Sequence, residues 1–427
     1  MNLWTDLDNN LQPPFDLSVQ GRTRRLTERV ILSSLRSWLL HDYAANYCRS
    51  LAATRIFRRC YWVDALGISS KASMIPPAVI ETVQPERTSK RRKKDVAPVL
   101  LPPALQPIAA LSQTLAQESQ SFTLYGLLLE AGSSKRRERR AVSNGTMTPH
   151  AWTLPKESGI LAASWLEAGS ALLAGIEQAP AIFLLNPCGP TLFSYDDLAS
   201  LYQRTVPTEL CLLLAHKQIE GHLLAAQRSP TQASALTTLL RSDRWKTLPT
   251  QDEERALAVQ GFLDLFTASM KRHFLLPVQC IALPMQTRPA FVEEMAYTLI
   301  FATRRQDSLL CMNDAVCRNR RRVHEESHRG VLGEEWFTAQ LRERTETARQ
   351  QLYQRTLQLG RAQRLRRWPD LRQQLLLANF GLFTSDDYDA VLRQLLLNRE
   401  VRCEWRRPPT EGEEMRLPGN EDTLLWL

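Results

Sequence analysis

Three polar stretches each close a run of apolar residues, and each carries side chains suited to holding a nucleoside or an amine. The first is Tyr61-Trp62-Val63-Asp64-Ala65-Leu66-Gly67, where an acid precedes a glycine. The second is Phe122-Thr123-Leu124-Tyr125-Gly126-Leu127-Leu128-Leu129, closed by Glu130. The third is Ala181-Ile182-Phe183-Leu184-Leu185, which stops at Asn186-Pro187-Cys188-Gly189-Pro190. A carboxylate accepts hydrogen bonds from ribose hydroxyls or an ammonium group, and a side-chain amide beside exposed carbonyls can accept from an exocyclic amine. Glycine lets a ligand approach the backbone, and Pro with Gly forces a sharp exit from a strand. An Asp or Glu at a strand end is also a common helix cap, and Asn-Pro a common turn starter. What gives the three stretches a shared meaning is their order, since ligands of open parallel sheets gather at the carboxyl ends of the strands.

The elements that must position them read as an α/β domain. Leu26, Val30, Leu35, Trp38 and Leu39 recur at helical spacing between Leu26 and Tyr47. Strands are expected at 60–66, 122–130, 181–185, 209–215, 278–283 and 297–303, and helices near 108–118, 159–174, 194–203 and 253–271. The strands lack alternation, which indicates burial on both faces, and intervening helices indicate a mostly parallel, doubly wound, Rossmann-like sheet. Pro284 and Pro289 between the last two strands favour a closing hairpin. The expected domain covers 21–320 after a loose tail at 1–20, with surface insertions near 72–107 and 131–157.

The chain has 427 residues, 44% hydrophobic and 23% charged, which suits a large core and excludes collagenous or wholly disordered classes. No long uncharged apolar run is present and Met1-Asn2-Leu3-Trp4 does not open a secretory signal, so a cytoplasmic protein without a membrane partner is expected. The 8 cysteines contain no CxxC pair. Cys311, Cys317, His324 and His328 do not match a standard zinc spacing, so no metal is expected. A nucleophile elbow and a phosphate-binding P-loop are both missing.

The formal charge of +9 is unevenly spread. The segment from Arg318 to Arg367 holds 13 arginines against 6 glutamates, and shorter basic runs lie at Lys90–Lys94 and Lys135–Arg140. Such runs suit a polyphosphate partner, DNA or RNA, or else a solvated face. Arg320, Arg321, Arg322, Arg364, Arg366 and Arg367 are the candidate phosphate contacts. Residues 321–367 read as a basic helical connector and 368–427 as a winged-helix-like domain, with helices at 371–378 and 385–397 and strands at 401–405 and 423–427. Thr384 with Asp387 makes a cap for the second helix. Asp386, Asp387 and Asp389 open that helix and would repel phosphate, so protein binding stays open beside nucleic-acid binding.

In outline from residue 26 onward the chain resembles the three-Cys-motif partner family, whose N-terminal domain is similar to class I methyltransferases. The resemblance rests on Leu26-Thr27-Glu28-Arg29-Val30-Ile31-Leu32, on Tyr61 to Gly67, on Leu127 to Glu130, and on Leu185-Asn186-Pro187-Cys188-Gly189. It continues through Glu209 to Leu214, Arg244-Trp245, and Tyr297-Thr298-Leu299-Ile300-Phe301-Ala302-Thr303-Arg304. The resemblance implies S-adenosylmethionine held by Asp64, Gly67 and Glu130, a nucleic-acid amine presented at Asn186 and Pro187, and a three-Cys-motif partner protein. Ser69 stands where a second glycine is usual, Asn186 replaces the usual Asp, and Cys188 replaces an aromatic residue that Phe193 or Tyr195 would have to supply. A catalytically inactive relative serving as a nucleic-acid- or partner-binding subunit is the alternative.

Overall fold

A computed structural model describes residues 31–66, 102, 104–118, 122–130, 158–176, 178–249, 251, 254–288, 291–330, 333–363, 366–407 and 416–427. The tail, Gly67, Ser69, both short basic runs, the 131–157 insertion, Arg364 and most of the 72–107 insertion lie outside the described residues.

The chain enters through helix α1 (31–53), whose middle turn, Leu39–Ala44, widens to π geometry. Leu32, Leu35, Leu39, Tyr43, Tyr47 and Leu51 are spaced along its buried stripe. Strand β1 (Arg59–Ala65) follows. Next come α2 (Gln106–Glu118), β2 (Thr123–Leu129), β3 (Gly159–Leu161), α3 (Trp165–Ile176) and β4 (Ala181–Leu185). After them lie α4 (Tyr195–Gln203), β5 (Thr208–Ala215), α5 (His216–Arg228), α6 (Pro230–Leu240) and α7 (Arg255–Lys271). The hairpin strands β6 (Gln279–Arg288) and β7 (Phe291–Ala302) complete the sheet.

Its seven strands are ordered β3-β2-β1-β4-β5-β7-β6. The first five run parallel, whereas β7 is antiparallel to both β5 and β6, the closing hairpin expected; both strands extend further than expected, so Pro284 lies within β6, at a register shift, and not between the strands. Because side chains alternate, each strand feeds two cores. Cys60, Trp62, Leu124, Leu128, Ile182 and Leu184 face α1, α2 and helix α8 (Gln306–His328). Tyr61, Val63, Leu127, Phe183 and Leu185 face α3 to α7. The sheet is thus apolar on both sides, and its polar chemistry is displaced to the strand ends.

Two expectations need correction. Residues 159–161 form the edge strand β3, not the start of a helix; the helix begins at Trp165, where Glu167 Oε2 accepts from Ser164 N and Oγ at 2.9 and 3.1 Å. That Ser-x-x-Glu signature marks the true start. The first insertion also ends before 107, since Leu105 is buried at the foot of α2.

Helix α8 runs through residue 320, so the expected boundary between domain and connector falls inside one helix. Beyond it lie α9 (Glu334–Gln363), α10 (Trp368–Ala378), α11 (Ser385–Leu397) and the antiparallel pair β8 (Val401–Glu404) and β9 (Thr423–Trp426). Trp368, Leu371, Leu375, Tyr388, Leu392 and Leu424 join the same hydrophobic core as α1 and the sheet. The Thr384–Asp387 capping box opens α11 as expected. Among the described residues no helix is long and apolar enough to cross a membrane.

A buried carboxylate stitches the layers together at the amino end of β5. Glu209 is fully buried and accepts from Tyr47 Oη and Ser308 Oγ, each at 2.6 Å. Tyr43 Oη lies 2.9 Å from the same serine hydroxyl. Burial pushes the Glu209 carboxyl above its ordinary value of 4.5, partly offset by the hydroxyls of Ser308, Tyr47 and Thr303. With the folded pKa raised, the native state holds a proton that the unfolded chain releases, so this group weakens stability as pH rises above 4.5. Urea unfolding of wild type and Glu209→Gln across this range is expected to show the stability difference shifting steadily in favour of the variant with rising pH.

Candidate functional site

The three strand-end residues share more than their order. Asp64 has the parity of Cys60 and Trp62, Glu130 that of Leu124 and Leu128, and Asn186 that of Ile182 and Leu184. Register places them at one edge: Asp64 pairs with Leu128 and with Leu184, two residues before Glu130 and Asn186 respectively. Parity directs Asp64 toward the α1 side, where Arg36 meets it, whereas Asn186 lies beyond β4 and its side chain meets Gln218 of α5; what the three share is the carboxyl ends of adjacent strands at the β1/β4 switch point.

Asp64 is 4% exposed and carries a partner that the sequence reading did not anticipate. Arg36, from α1, grips it with two bonds, Nε to Oδ2 at 2.5 Å and Nη2 to Oδ1 at 3.1 Å. The Leu66 N–H also donates to Oδ1 at 3.1 Å, so the carboxylate both terminates β1 and anchors α1. Burial alone would lower the Arg36 pKa, yet Asp64 and, further out, Glu130 hold it above its ordinary value. Asp64, Arg36 and Glu130 thus belong to one electrostatic group. A signal for Arg36 existed: an arginine at one helical turn from Leu32 and Leu39 lies beside an apolar stripe, and such a residue needs a carboxylate.

Asn186 belongs to a second, differently supported group. Its Nδ2 donates to Gln218 Oε1 at 3.1 Å, and its buried Oδ1 has no hydrogen-bond partner among the described residues. The turn itself is pinned from α5. His222 Nε2 lies 2.9 Å from the Gly189 carbonyl and 3.3 Å from that of Cys188, which requires the ring to donate. Pro187 is buried, and its carbonyl already accepts from Phe193 N at 2.9 Å. Gln218 and His222 reach the turn because β5 passes into α5 without a loop.

The stacking ring missing at Cys188 is not supplied by either expected neighbour. Phe193 is buried in the core. Tyr195 bonds His273 Nε2 at 2.7 Å and lies beneath Arg241, 4.5 Å from its ring centroid. His216, the other histidine after β5, bonds Thr298 Oγ1 at 2.9 Å. His328 stacks on Phe337 at 4.2 Å, and no metal-binding cluster occurs among the described residues.

Several arginines of the basic segment bond within the chain, although most of them stay exposed. Arg320 Nη1 donates to the Gly381 carbonyl at 3.3 Å, Arg321 pairs with Asp387 at 2.6 Å, and Arg322 pairs with Asp42 at 2.8 Å. Arg349 also reaches Asp387, Arg355 reaches Asn379, and Arg361 reaches Glu400. Asn313 and Asp314 of α8 add bonds to Phe383, Gly381 and Ser385. Arg366 accepts through its carbonyl from Leu424, and Arg367 caps α10. The stretch therefore works as a clasp that mounts α10, α11 and the β8–β9 pair on α8 and α9. Asp386, Asp387 and Asp389, which open α11, supply two of its acceptors, Asp387 for Arg321 and Asp389 for Arg372.

Compared with known proteins, the chain matches no family model, no curated protein and no solved structure.

Removing the ring that pins the turn should loosen it without unfolding the sheet. For His222→Ala we expect a loss of about 1–2 kcal/mol, the scale of a buried hydrogen bond, with faster amide hydrogen exchange at Gly189 and Phe193. Unchanged exchange there, measured by mass spectrometry, would show that the ring does not hold the turn.

Proposed function

We propose that this chain is a methyltransferase-like protein of the S-adenosylmethionine-dependent class, with the ligand crevice at the carboxyl ends of β1, β2 and β4. The observation that carries this reading is the place of Asp64, Glu130 and Asn186 at the carboxyl ends of three adjacent parallel strands, β1, β2 and β4, at the switch point. The reversed β7 set beside β5 suits the class I methyltransferase sheet that the sequence resembles. The residues fit such a cofactor: two acids for amino and hydroxyl hydrogens, and an orphaned Asn186 Oδ1 that awaits a donor. When bound, S-adenosylmethionine supplies an electrophilic methyl group. Asp64 and Glu130 would orient it, with Gly67 permitting close approach. Asn186 would accept from the amine of a nucleic-acid substrate, with the Pro187 carbonyl as a second acceptor. Catalysis of this kind rests on alignment and on preorganised acceptors, not on a covalent enzyme intermediate.

A second reading is favoured by the Arg36–Asp64 pair, which occupies the first acid with a side chain of the protein itself. Together with Cys188 in place of a ring, it supports an inactive relative that kept the sheet as a binding subunit. The C-terminal unit, read as winged-helix-like, would then engage a three-Cys-motif partner protein or nucleic acid. The pairing of Arg321 and Arg349 with Asp387 and of Arg361 with Glu400 commits part of its positive charge within the chain, which favours the protein partner.

Isothermal titration with S-adenosylmethionine and its demethylated product separates the two. The first reading expects saturable heat with wild type and at least a tenfold affinity loss in Asp64→Asn, a cost near that of one charged hydrogen bond. Absence of heat at millimolar ligand would remove the cofactor from the account and leave the binding subunit.

A further inference from the structure

We propose that the cleft between α4 and α6 is a binding site for a small zwitterion, with its carboxylate on Arg241 and its ammonium group on Asp196. The site goes beyond the cofactor reading. Helices α4 and α6 pack on the side of the sheet opposite to α1, away from Arg36 and Asp64.

The cleft has a volume of about 580 Å³ and is lined by Tyr195 and Asp196 at the start of α4 and by Thr237, Thr238, Arg241, Ser242 and Asp243 at the end of α6. That size falls within the range of small-molecule sites. Most of its polar groups are already engaged within the fold. Thr237 Oγ1 donates to Asp243 Oδ1 and accepts from Trp245 Nε1, each at 2.9 Å, and Asp243 also pairs with Lys246 at 3.1 Å. Thr238 Oγ1 donates to the Ser234 carbonyl at 2.8 Å, and Ser242 Oγ accepts from Arg244 N at 3.2 Å. Tyr195 Oη lies 2.7 Å from His273 Nε2. What remains is one cation and one anion on the same cleft. Neither the Arg241 nor the Asp196 side chain has a hydrogen bond or an ion pair among the described residues, to each other or to a third group.

Arg241 stands where the backbone favours another residue. It ends α6 at φ 50° and ψ 35°, the left-handed conformation that glycine usually supplies. Its guanidinium lies over the Tyr195 ring, 4.5 Å from the centroid. That ring is bonded to His273, whose imidazole stacks on Tyr202 at 4.6 Å, so the platform beneath the cation is braced from two sides. A guanidinium resting on an aromatic face keeps the N–H groups of its edge available, and that fork matches a carboxylate. Asp196, exposed in the first turn of α4, is the acceptor for the other end of the ligand. An anion alone would meet Arg241 but also face Asp196, and a cation alone would meet the reverse. A molecule carrying both charges satisfies both residues, which selects a zwitterion over either single ion.

The test uses the full chain and saturation-transfer NMR with millimolar β-alanine, γ-aminobutyrate and ε-aminocaproate, which differ in the separation of their charges. Propanoate and propylammonium are the single-charge controls. The proposal expects at least one of the three amino acids to bind and neither control to do so, with binding at least tenfold weaker in Arg241→Gly and in Asp196→Asn. Because glycine suits the backbone at residue 241, Arg241→Gly should unfold at no lower temperature than wild type, which separates lost binding from lost structure. Asp64→Asn should leave the binding unchanged; a loss there would move the ligand to the strand ends and overturn the cleft. Silence from all three amino acids, an equal response to propanoate alone, or binding that either cleft variant leaves intact would overturn it too.

Discussion

The Arg36–Asp64 ion pair is the contact on which the carboxyl-end rim of the sheet depends. It joins the first helix to the first strand, and it places a guanidinium over the switch point of a sheet whose faces are otherwise apolar. A carboxylate so little exposed must be partnered, and a doubly wound sheet leaves space for the partner only at the strand ends. That constraint decides the layout: apolar residues fill both faces, and the polar residues that could do chemistry gather along a single rim.

The opposite rim shows the same rule applied to structure alone. Glu209, at the amino end of β5, is equally hidden, yet it is satisfied by hydroxyls from α1 and α8 and no cation contacts it directly. The π turn of α1 brings Tyr43 and Tyr47 into stacked rings 5.8 Å apart, both connected to this acid through hydrogen bonds. One helix therefore serves both ends of the sheet, with Arg36 toward the ligand edge and the tyrosines toward the closed one. A shift of α1 along its axis would disturb both groups together. The wide turn begins after Arg36 and includes Tyr43.

Much of the fold was legible in the sequence because strands buried on two faces are continuous apolar runs. Ala181–Leu185 and Ser385–Leu397 fall where the sequence places them, and β1, β2 and β5 shift by a residue at their ends. The helices α5, α6 and α8 were harder to see. Helix α5 starts with no intervening loop, α6 opens on a proline, and α8 changes from an apolar stripe to a basic one midway. At the site, residue type and position at the strand ends brought out Asp64, Glu130 and Asn186. Their partners Arg36 and Gln218 lie far away in the chain, on helices whose packing only the tertiary structure fixes. In the basic segment, charge counts do not show which arginines also meet Asp387, Asn379 or Glu400.

These internal ion pairs bear on how the two halves of the chain are joined. Arg321 and Arg349 meet on Asp387, the residue whose side chain also closes the cap of α11. The acidic start of α11 is thereby neutralised by the protein itself and is not presented to a phosphate backbone. Arg322 meanwhile pairs with Asp42 on α1, the helix that carries Arg36 six residues earlier. Because Arg322 lies on α8, this pair fastens α8 to α1, the same two helices that meet through Tyr43 and Ser308. The C-terminal unit therefore rests on α8 and α9, and α8 in turn packs against the helix that carries Arg36.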